Sequence, residues 1–307
     1  MRILVVGAGA IGGYFGGRLL EKGEDVTFLV RSRRFQQLTE TELVIESPHG
    51  NMKLKPKLIM SGDEADPFDI ILLSTKAYHL DGAIESIRPY MDEKTMILPL
   101  LNGIEHINQL ILEFGEKQVI GGLCFIETTL DIKGNVIQTS PAHNLVYGEL
   151  NGEETDRMKV LQNVFSGTKA NFQYSPNILQ AMWDKYLFIS TLSGITTLTR
   201  APIGPIRETA AGKQAIQNIA DEVISIMESL EAPIETNMTN TLQDKINTLT
   251  YNMKSSMQRD MEKGLPTEAD HFFHYLLNHA NKNNLKTPNL QLIYTNLKVY
   301  ERNVLGM

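Results

Sequence analysis

The chain has 307 residues, which suits two domains better than one small core. Its formal net charge is −7, and nothing at whole-chain level suggests the basic face of a nucleic-acid binder. A single cysteine, Cys124, excludes an intrachain disulfide and suits a reducing cytoplasm. The apolar run behind Met1 and Arg2 is too short for a signal segment, and no other run is long enough to cross a bilayer. A soluble, cytoplasmic protein with no membrane partner is therefore expected.

Taken in order, residues 3–6 are a continuous apolar run, as a buried parallel strand requires. Residues 12–22 have helical spacing, and Gly23 closes them. Residues 25–30 read as a second strand. Residues 43–46 and 52–54 flank Pro48-His49-Gly50-Asn51 and predict a hairpin. Residues 70–74 and 96–100 are further buried strands, and a helix is predicted over 104–114. Residues 119–126, 136–139 and 145–147 read as late strands forming an antiparallel edge, with Gly134-Asn135 as a turn. Beyond Ser175-Pro176-Asn177 the spacing turns helical, over 178–198, 214–230, 268–281 and 290–300. The expected architecture is a Rossmann-type α/β domain with a mostly parallel sheet over 1–174, then an all-α substrate domain over 175–307. A cleft between two such domains is where a ligand is expected.

Gly7-Ala8-Gly9-Ala10-Ile11-Gly12 matches G-x-G-x-x-G, between a buried strand and a helix. Gly7 allows the tight turn, Gly9 lets a pyrophosphate approach the backbone, and Gly12 lets helix pack on strand. The helix N-terminus then offers free N–H groups to the phosphates. Gly13, Gly16 and Gly17 also permit close packing. At the end of the second strand, an acidic residue would bind a ribose 2′-hydroxyl. Here stand Val30-Arg31-Ser32-Arg33-Arg34, and three guanidiniums without a nearby carboxylate favour a 2′-phosphate. Arg31 falls at the discriminating position, so NADPH/NADP is the expected cofactor; the alternatives are a solvated basic loop there, and FAD, which the glycines alone also admit.

These residues, with four later motifs, resemble the ketopantoate reductases (2-dehydropantoate 2-reductases) over nearly the whole chain. The motifs are Ser74-Thr75-Lys76-Ala77-Tyr78, Leu101-Asn102-Gly103-Ile104, Trp183-Asp184-Lys185, and Ser255-Ser256-Met257-Gln258-Arg259-Asp260 followed by Thr267-Glu268-Ala269-Asp270. The resemblance implies reduction of a 2-oxo acid by NADPH, with the substrate between the domains. It implies Lys185 as general acid and Glu268 near the ribose, the substrate or both. It also implies Lys76 and Asn102 on the nicotinamide side, and Ser256 at the substrate. The chemistry agrees, because hydride attack on a ketone builds negative charge on oxygen that a positioned ammonium stabilises and then protonates. Apart from the resemblance, Lys185 reads equally well as a lysine snorkelling from a helix surface.

The chain departs from the family at two positions. The family's asparagines one and two turns after the lysine are replaced by Ile189 and Ser193. Lys185, Ile189 and Ser193 share a helix face, so Ser193 remains a candidate substrate contact, but the polar grip is thinner. Arg200 is a candidate replacement for the missing carboxylate contact. His271, His274 and His279 with Asp270 lack the H-E-x-x-H spacing and read as helix surface and packing, so no metal is expected. Cys124 reads as a core residue. The apolar faces of the helical half serve a core or a homodimer interface. Three functions fit: reduction of 2-dehydropantoate to pantoate, reduction of another 2-oxo acid, and a non-catalytic NADP-binding sensor.

Overall fold

The run Ile70-Ile71-Leu72-Leu73 has no polar side, and all four residues are fully buried. A strand of this kind needs cover on both faces, as in a parallel sheet walled by helices. The computed structural model describes residues 1–235 and 237–306. In chain order it begins β1 (Arg2–Val6), α1 (Ala10–Lys22), β2 (Asp25–Leu29), α2 (Ser32–Thr41), β3 (Leu43–Glu46), β4 (Met52–Leu54), β5 (Lys57–Ile59) and β6 (Ile70–Leu73). It continues with α3 (Leu80–Ile87), β7 (Met96–Pro99), α4 (Glu105–Phe114), β8 (Gly121–Leu130), β9 (Val136–Gly148), α5 (Asp156–Phe165) and β10 (Asn171–Tyr174). The rest is helical: α6 (Ile178–Thr199), α7 (Ile203–Glu208), α8 (Ala210–Ser229), α9 (Met238–Thr248), α10 (Ser256–Glu262), α11 (Tyr275–Lys282) and α12 (Pro288–Tyr300). Wide π-turns cover Asp270–His274 and Glu301–Leu305. The chain divides into two units, one of residues 1–102 and 106–179, the other of 103–105 and 180–307.

The first unit holds a parallel sheet ordered β5-β2-β1-β6-β7. Val6 pairs with both Leu29 and Leu73, and Leu73 with Pro99. Strands β1, β2, β6 and β7 therefore end level, and the loops after them lie along one edge. Strand order runs outward from β1 in both directions, so this edge holds the topological switch point where ligands bind in such sheets.

The late strands do not extend that sheet. They form a second one, ordered β10-β9-β3-β4, with β8 on β9. Residues 136–139 and 145–147, read from sequence as two strands, are parts of the single strand β9. Its ladder with β8 is broken between the pairs Thr128–Gln138 and Ile126–His143. Pro141 sits in the break, where no backbone N–H is required of it. Ser140 Oγ bridges the gap by accepting from the Glu127 amide at 2.8 Å. The hairpin of β3 and β4 forms as expected, with Ile45 opposite Met52.

Helix α1 lies against both sheets, and its glycines explain how. A Cβ at Gly16 would come within 2.8 Å of Val5 and Phe28 in the first sheet. At Gly13 it would meet Val136 at 2.9 Å, and at Gly17 Ile45 at 2.7 Å, both in the second sheet. Buried Arg18 completes the clamp, donating to Glu21 and to the Gly50 carbonyl at 2.7 Å each. In the second unit α6 is the longest helix, and no described helix is long and apolar enough to cross a membrane.

Candidate active site

The Gly7–Gly12 loop joins β1 to α1 at the switch-point edge. Gly7 has φ +91°, which only glycine adopts without strain. A Cβ at Gly12 would overlap the Gly7 carbonyl oxygen and Ser74 Oγ, whereas at Gly9 it would meet nothing within 4 Å. The two glycines therefore differ: Gly12 is needed for packing, and Gly9 faces open space. Gly9 is the N-cap of α1 and makes no side-chain cap, so the first-turn amides of Ala10 and Ile11, near Ala8, are left for an anion. These features fit a dinucleotide pyrophosphate.

Two side chains brace the loop from outside. Ser74 Oγ lies 2.9 Å from the Val6 carbonyl and 3.0 Å from that of Gly7, and donates to them. Arg34 Nε donates to the Ala8 carbonyl at 2.9 Å, and its Nη1 donates to Gly134 O and Gln37 Oε1. Arg34 is therefore turned inward, because residues 32–41 form helix α2 instead of a basic loop. Of the three guanidiniums read as one phosphate group, Arg34 is committed to the fold, while Arg31 and Arg33 stay exposed. Arg31 is the N-cap of α2, just past β2. Its Nη1 lies 3.4 Å from His79 Nε2, in the turn after β6.

Lys76 opens that turn, and Asn102 follows β7, both half-buried. The structure thus brings Gly7–Gly12, Arg31, Lys76 and Asn102 to one edge of one sheet. Gly103, next to Asn102, has φ +84°, and a Cβ there would stand 3.0 Å from His271 Nε2. Backbone conformation demands glycine in this Asn-Gly pair, and the space beside His271 is tight.

In the helical unit, Lys185 is 7 % exposed and Glu268 8 % exposed. A snorkelling lysine would keep its ammonium in water, and Lys185 is instead enclosed by the protein. Ser193 is also buried, and Ile189 is half-buried on the same face of α6. Tyr186, beside Lys185, donates to the Phe272 carbonyl at 2.5 Å. Phe272 lies in the π-turn just beyond Glu268. Thr267 Oγ1 donates to Glu301 Oε1 at 2.6 Å, and both are buried. Asp270 accepts from Tyr294 at 2.7 Å and from Lys298 at 3.1 Å. Both neighbours of the Glu268-Ala269 pair are thus fastened to the C-terminal helix and its π-turn.

The two serines of the C-terminal motif divide their work. Ser255 is buried, shares a 2.9 Å hydrogen bond with Thr196 and caps α10 by accepting from the Gln258 amide. Ser256 is exposed. Arg200, the candidate replacement for the carboxylate contact, is exposed at the end of α6. Its guanidinium donates to the Thr197 carbonyl and to Asn296 Oδ1, closing the end of α6.

Residues 3–152 match the family described as Ketopantoate reductase PanE/ApbA, and residues 177–301 match Ketopantoate reductase PanE/ApbA C terminal. The chain belongs to the ketopantoate reductase family. An uncharacterized oxidoreductase of Bacillus subtilis (strain 168), YkpB, is 45% identical over 301 residues, covering 98% of this chain and 99% of its own. The solved 2-dehydropantoate 2-reductase from Geobacter metallireducens GS-15 is 26% identical, with a TM-score of 0.88 over 97% of this chain and 99% of that one. D-mandelate dehydrogenase, solved with NADH and anilino(oxo)acetate, is 21% identical, with a TM-score of 0.88 over 99% of this chain and 100% of that one. That last likeness is one of fold alone.

Within this ketopantoate reductase-family oxidoreductase, four supporting residues escaped the motif reading as individuals. Ser74 stood inside a motif without a role, and its place just after β6 gave no hint that it reaches across to the end of β1. Arg34 read as a phosphate ligand because linear charge does not show direction. His79 and Glu301 carried no signal, since each acts on a residue distant in sequence.

Proposed function

We propose that this protein reduces a 2-oxo acid to the 2-hydroxy acid with NADPH, and that 2-dehydropantoate, giving pantoate, is its substrate. The observation that carries the reading is Lys185, buried on α6 inside Trp183-Asp184-Lys185. Reduction of a ketone takes a hydride, which a bound reduced nicotinamide supplies, and a proton. Lys185 donates a hydrogen bond to the ketone oxygen, opposes the charge that grows there and releases its proton to it. The C=O π bond is replaced by one C–H and one O–H bond, and water reprotonates the lysine. Glu268 holds the ribose or the substrate hydroxyl, and Ser193 and Ser256 supply hydroxyls to the substrate. Gly7 to Gly12 seat the pyrophosphate, Lys76 and Asn102 orient the nicotinamide side, and Arg31 pairs with the 2′-phosphate. The reading places the work in a reducing compartment, where Cys124 stays a buried thiol.

A second reading rests on Ile189. An isoleucine cannot replace an amide's hydrogen bonds, so the site suits a less polar 2-oxo acid if discrimination is set there. Oxidation of NADPH and NADH is followed with 2-dehydropantoate and a panel of 2-oxo acids, in wild type, Lys185→Ala and Ile189→Asn/Ser193→Asn. The proposal expects the highest kcat/KM with NADPH and 2-dehydropantoate, and near-complete loss in Lys185→Ala. A better kcat/KM on another acid selects the second reading. Tight NADPH binding without turnover on any acid would leave a sensor.

A further inference from the structure

The contact between Arg31 and His79 joins two loops that sequence places 48 residues apart. Arg31 follows β2 and His79 follows β6, the strands on either side of β1. The pair therefore stands beside the glycine loop, at the edge where the adenosine end of a dinucleotide is expected. A guanidinium N–H can only donate, so a hydrogen bond at this 3.4 Å contact requires His79 to be neutral and to accept on Nε2, with its proton on Nδ1. Both side chains are exposed and open to a ligand.

A 2′-phosphate reverses this arrangement. It is close to a dianion above about pH 6.5, since its second pKa is about 6. Once Arg31 turns to it, the imidazole loses a donor and gains an anion, and both changes favour a second proton. We propose that His79 is the second cation of a 2′-phosphate clamp, protonated only when NADP(H) binds, so that binding takes up a proton and selects NADP(H) over NAD(H) more strongly at lower pH. The proposal rests on the NADPH reading above.

The surroundings of His79 agree. Partial desolvation by the turn and the charge of Arg31 hold the free imidazole below its usual range, against a backbone hydrogen bond at Tyr78 that raises it. The Tyr78 ring packs edge-on at 4.7 Å, and Lys76 opens the same turn. Asp81, the carboxylate next along the chain, accepts from Gln109 at 2.6 Å. The sign follows from linkage: a group whose pKa is raised in the complex strengthens binding below its free pKa. That gain is lost as pH rises through the bound pKa.

NADP⁺ and NAD⁺ are titrated calorimetrically into the full-length protein at pH 6.5 to 8.5, in buffers of different ionisation enthalpy. Wild type is expected to take up about half a proton with NADP⁺ near pH 7 and to bind it roughly threefold to tenfold more weakly at pH 8.5 than at pH 6.5. NAD⁺ binding should stay flat. His79→Gln should bind NADP⁺ without proton uptake and with little pH dependence, its fold checked by thermal melt. No proton uptake in wild type, or equal uptake in His79→Gln, overturns the proposal. If wild type binds NADP⁺ no better than NAD⁺, the NADPH reading fails as well; if NADP⁺ is preferred but no proton moves, only the role of His79 fails.

Discussion

Tyr186, the residue after Lys185, donates its hydroxyl to the carbonyl of Phe272 at 2.5 Å, and both groups are buried. The bond ties the helix of the proposed acid to the turn that follows Glu268. Burial pushes the Tyr186 phenol well above its ordinary pKa, so it remains a donor at every working pH. Tyr186→Phe removes the donor and leaves a buried carbonyl short of a partner, at a cost of about 1–3 kcal/mol. We expect a lower Tm and a roughly tenfold lower kcat, with cofactor Kd unchanged. Denaturant melts and steady-state kinetics check this, and an unaltered kcat would show that Lys185 is held without the bond.

Gly9 and Gly12 should separate under substitution. Gly12→Ala forces a methyl into the Gly7 carbonyl and Ser74 Oγ, so stability should fall by about 1–3 kcal/mol and dinucleotide binding should be lost. Gly9→Ala has free space in the unliganded protein, so Tm should hold within a degree or two while dinucleotide Kd rises at least about tenfold. Thermal melts paired with fluorescence titration distinguish the two. Equal Tm losses would mean that Gly9 also serves packing.

The arginines after β2 should behave oppositely to one another. Arg31→Ala should weaken NADPH binding by about tenfold to a hundredfold and spare NADH, since an exposed guanidinium facing a phosphate contributes about 1.5–3 kcal/mol. Arg34→Ala removes donors from Ala8, Gly134 and Gln37, so it should lower stability and weaken both cofactors alike. Parallel Kd measurements with the two nucleotides decide. Selective loss of NADPH in Arg34→Ala would return that residue to the phosphate group.

Acid sensitivity should trace in part to Glu149. Burial raises its pKa, but hydrogen bonds from Arg157 and Thr155 outweigh this and hold the carboxyl below its ordinary value of 4.5. Arg157 Nε and Nη2 reach the two carboxylate oxygens at 2.6 and 2.5 Å. A depressed folded pKa means stability that is complete above the unfolded value and lost as pH falls through the folded one. Arg157→Met should therefore cost about 2–4 kcal/mol at pH 7, with the gap to wild type closing below about pH 4.5. Urea melts from pH 3 to 8 test this, and a constant gap would assign the loss to packing.

Much of the first unit was legible because its signals are local. A buried strand, a glycine loop and a helix are neighbours in sequence, and the register of β1, β2, β6 and β7 then brings the strand-end residues together. The two strands expected over 136–139 and 145–147 are one, because Ser140 bridges the gap at Pro141, a contact that the local pattern does not show. The second sheet was read as an edge of the first because alternation reports that a strand exists, not which sheet receives it. Ile189 and Ser193 were visible at once as departures, whereas the hydrogen bond from Arg200 to Asn296 was not.

By itself, the sequence did not give helices such as α2, α3 and α5, but it determined the glycine loop between a buried strand and a helix, the change from an α/β half to a helical half, and the family to which the lysine motif belongs. Each depends on residue type at short spacing, which backbone geometry and glycine's missing side chain make binding on the fold. Only the tertiary structure decided what each charged or hydroxyl side chain faces. Arg34 holds the Ala8 carbonyl, Arg31 meets His79, and Tyr186 reaches Phe272. Those pairings join residues from 26 to 86 positions apart. Direction and partner at that range arise from packing, and packing is not written in the local pattern.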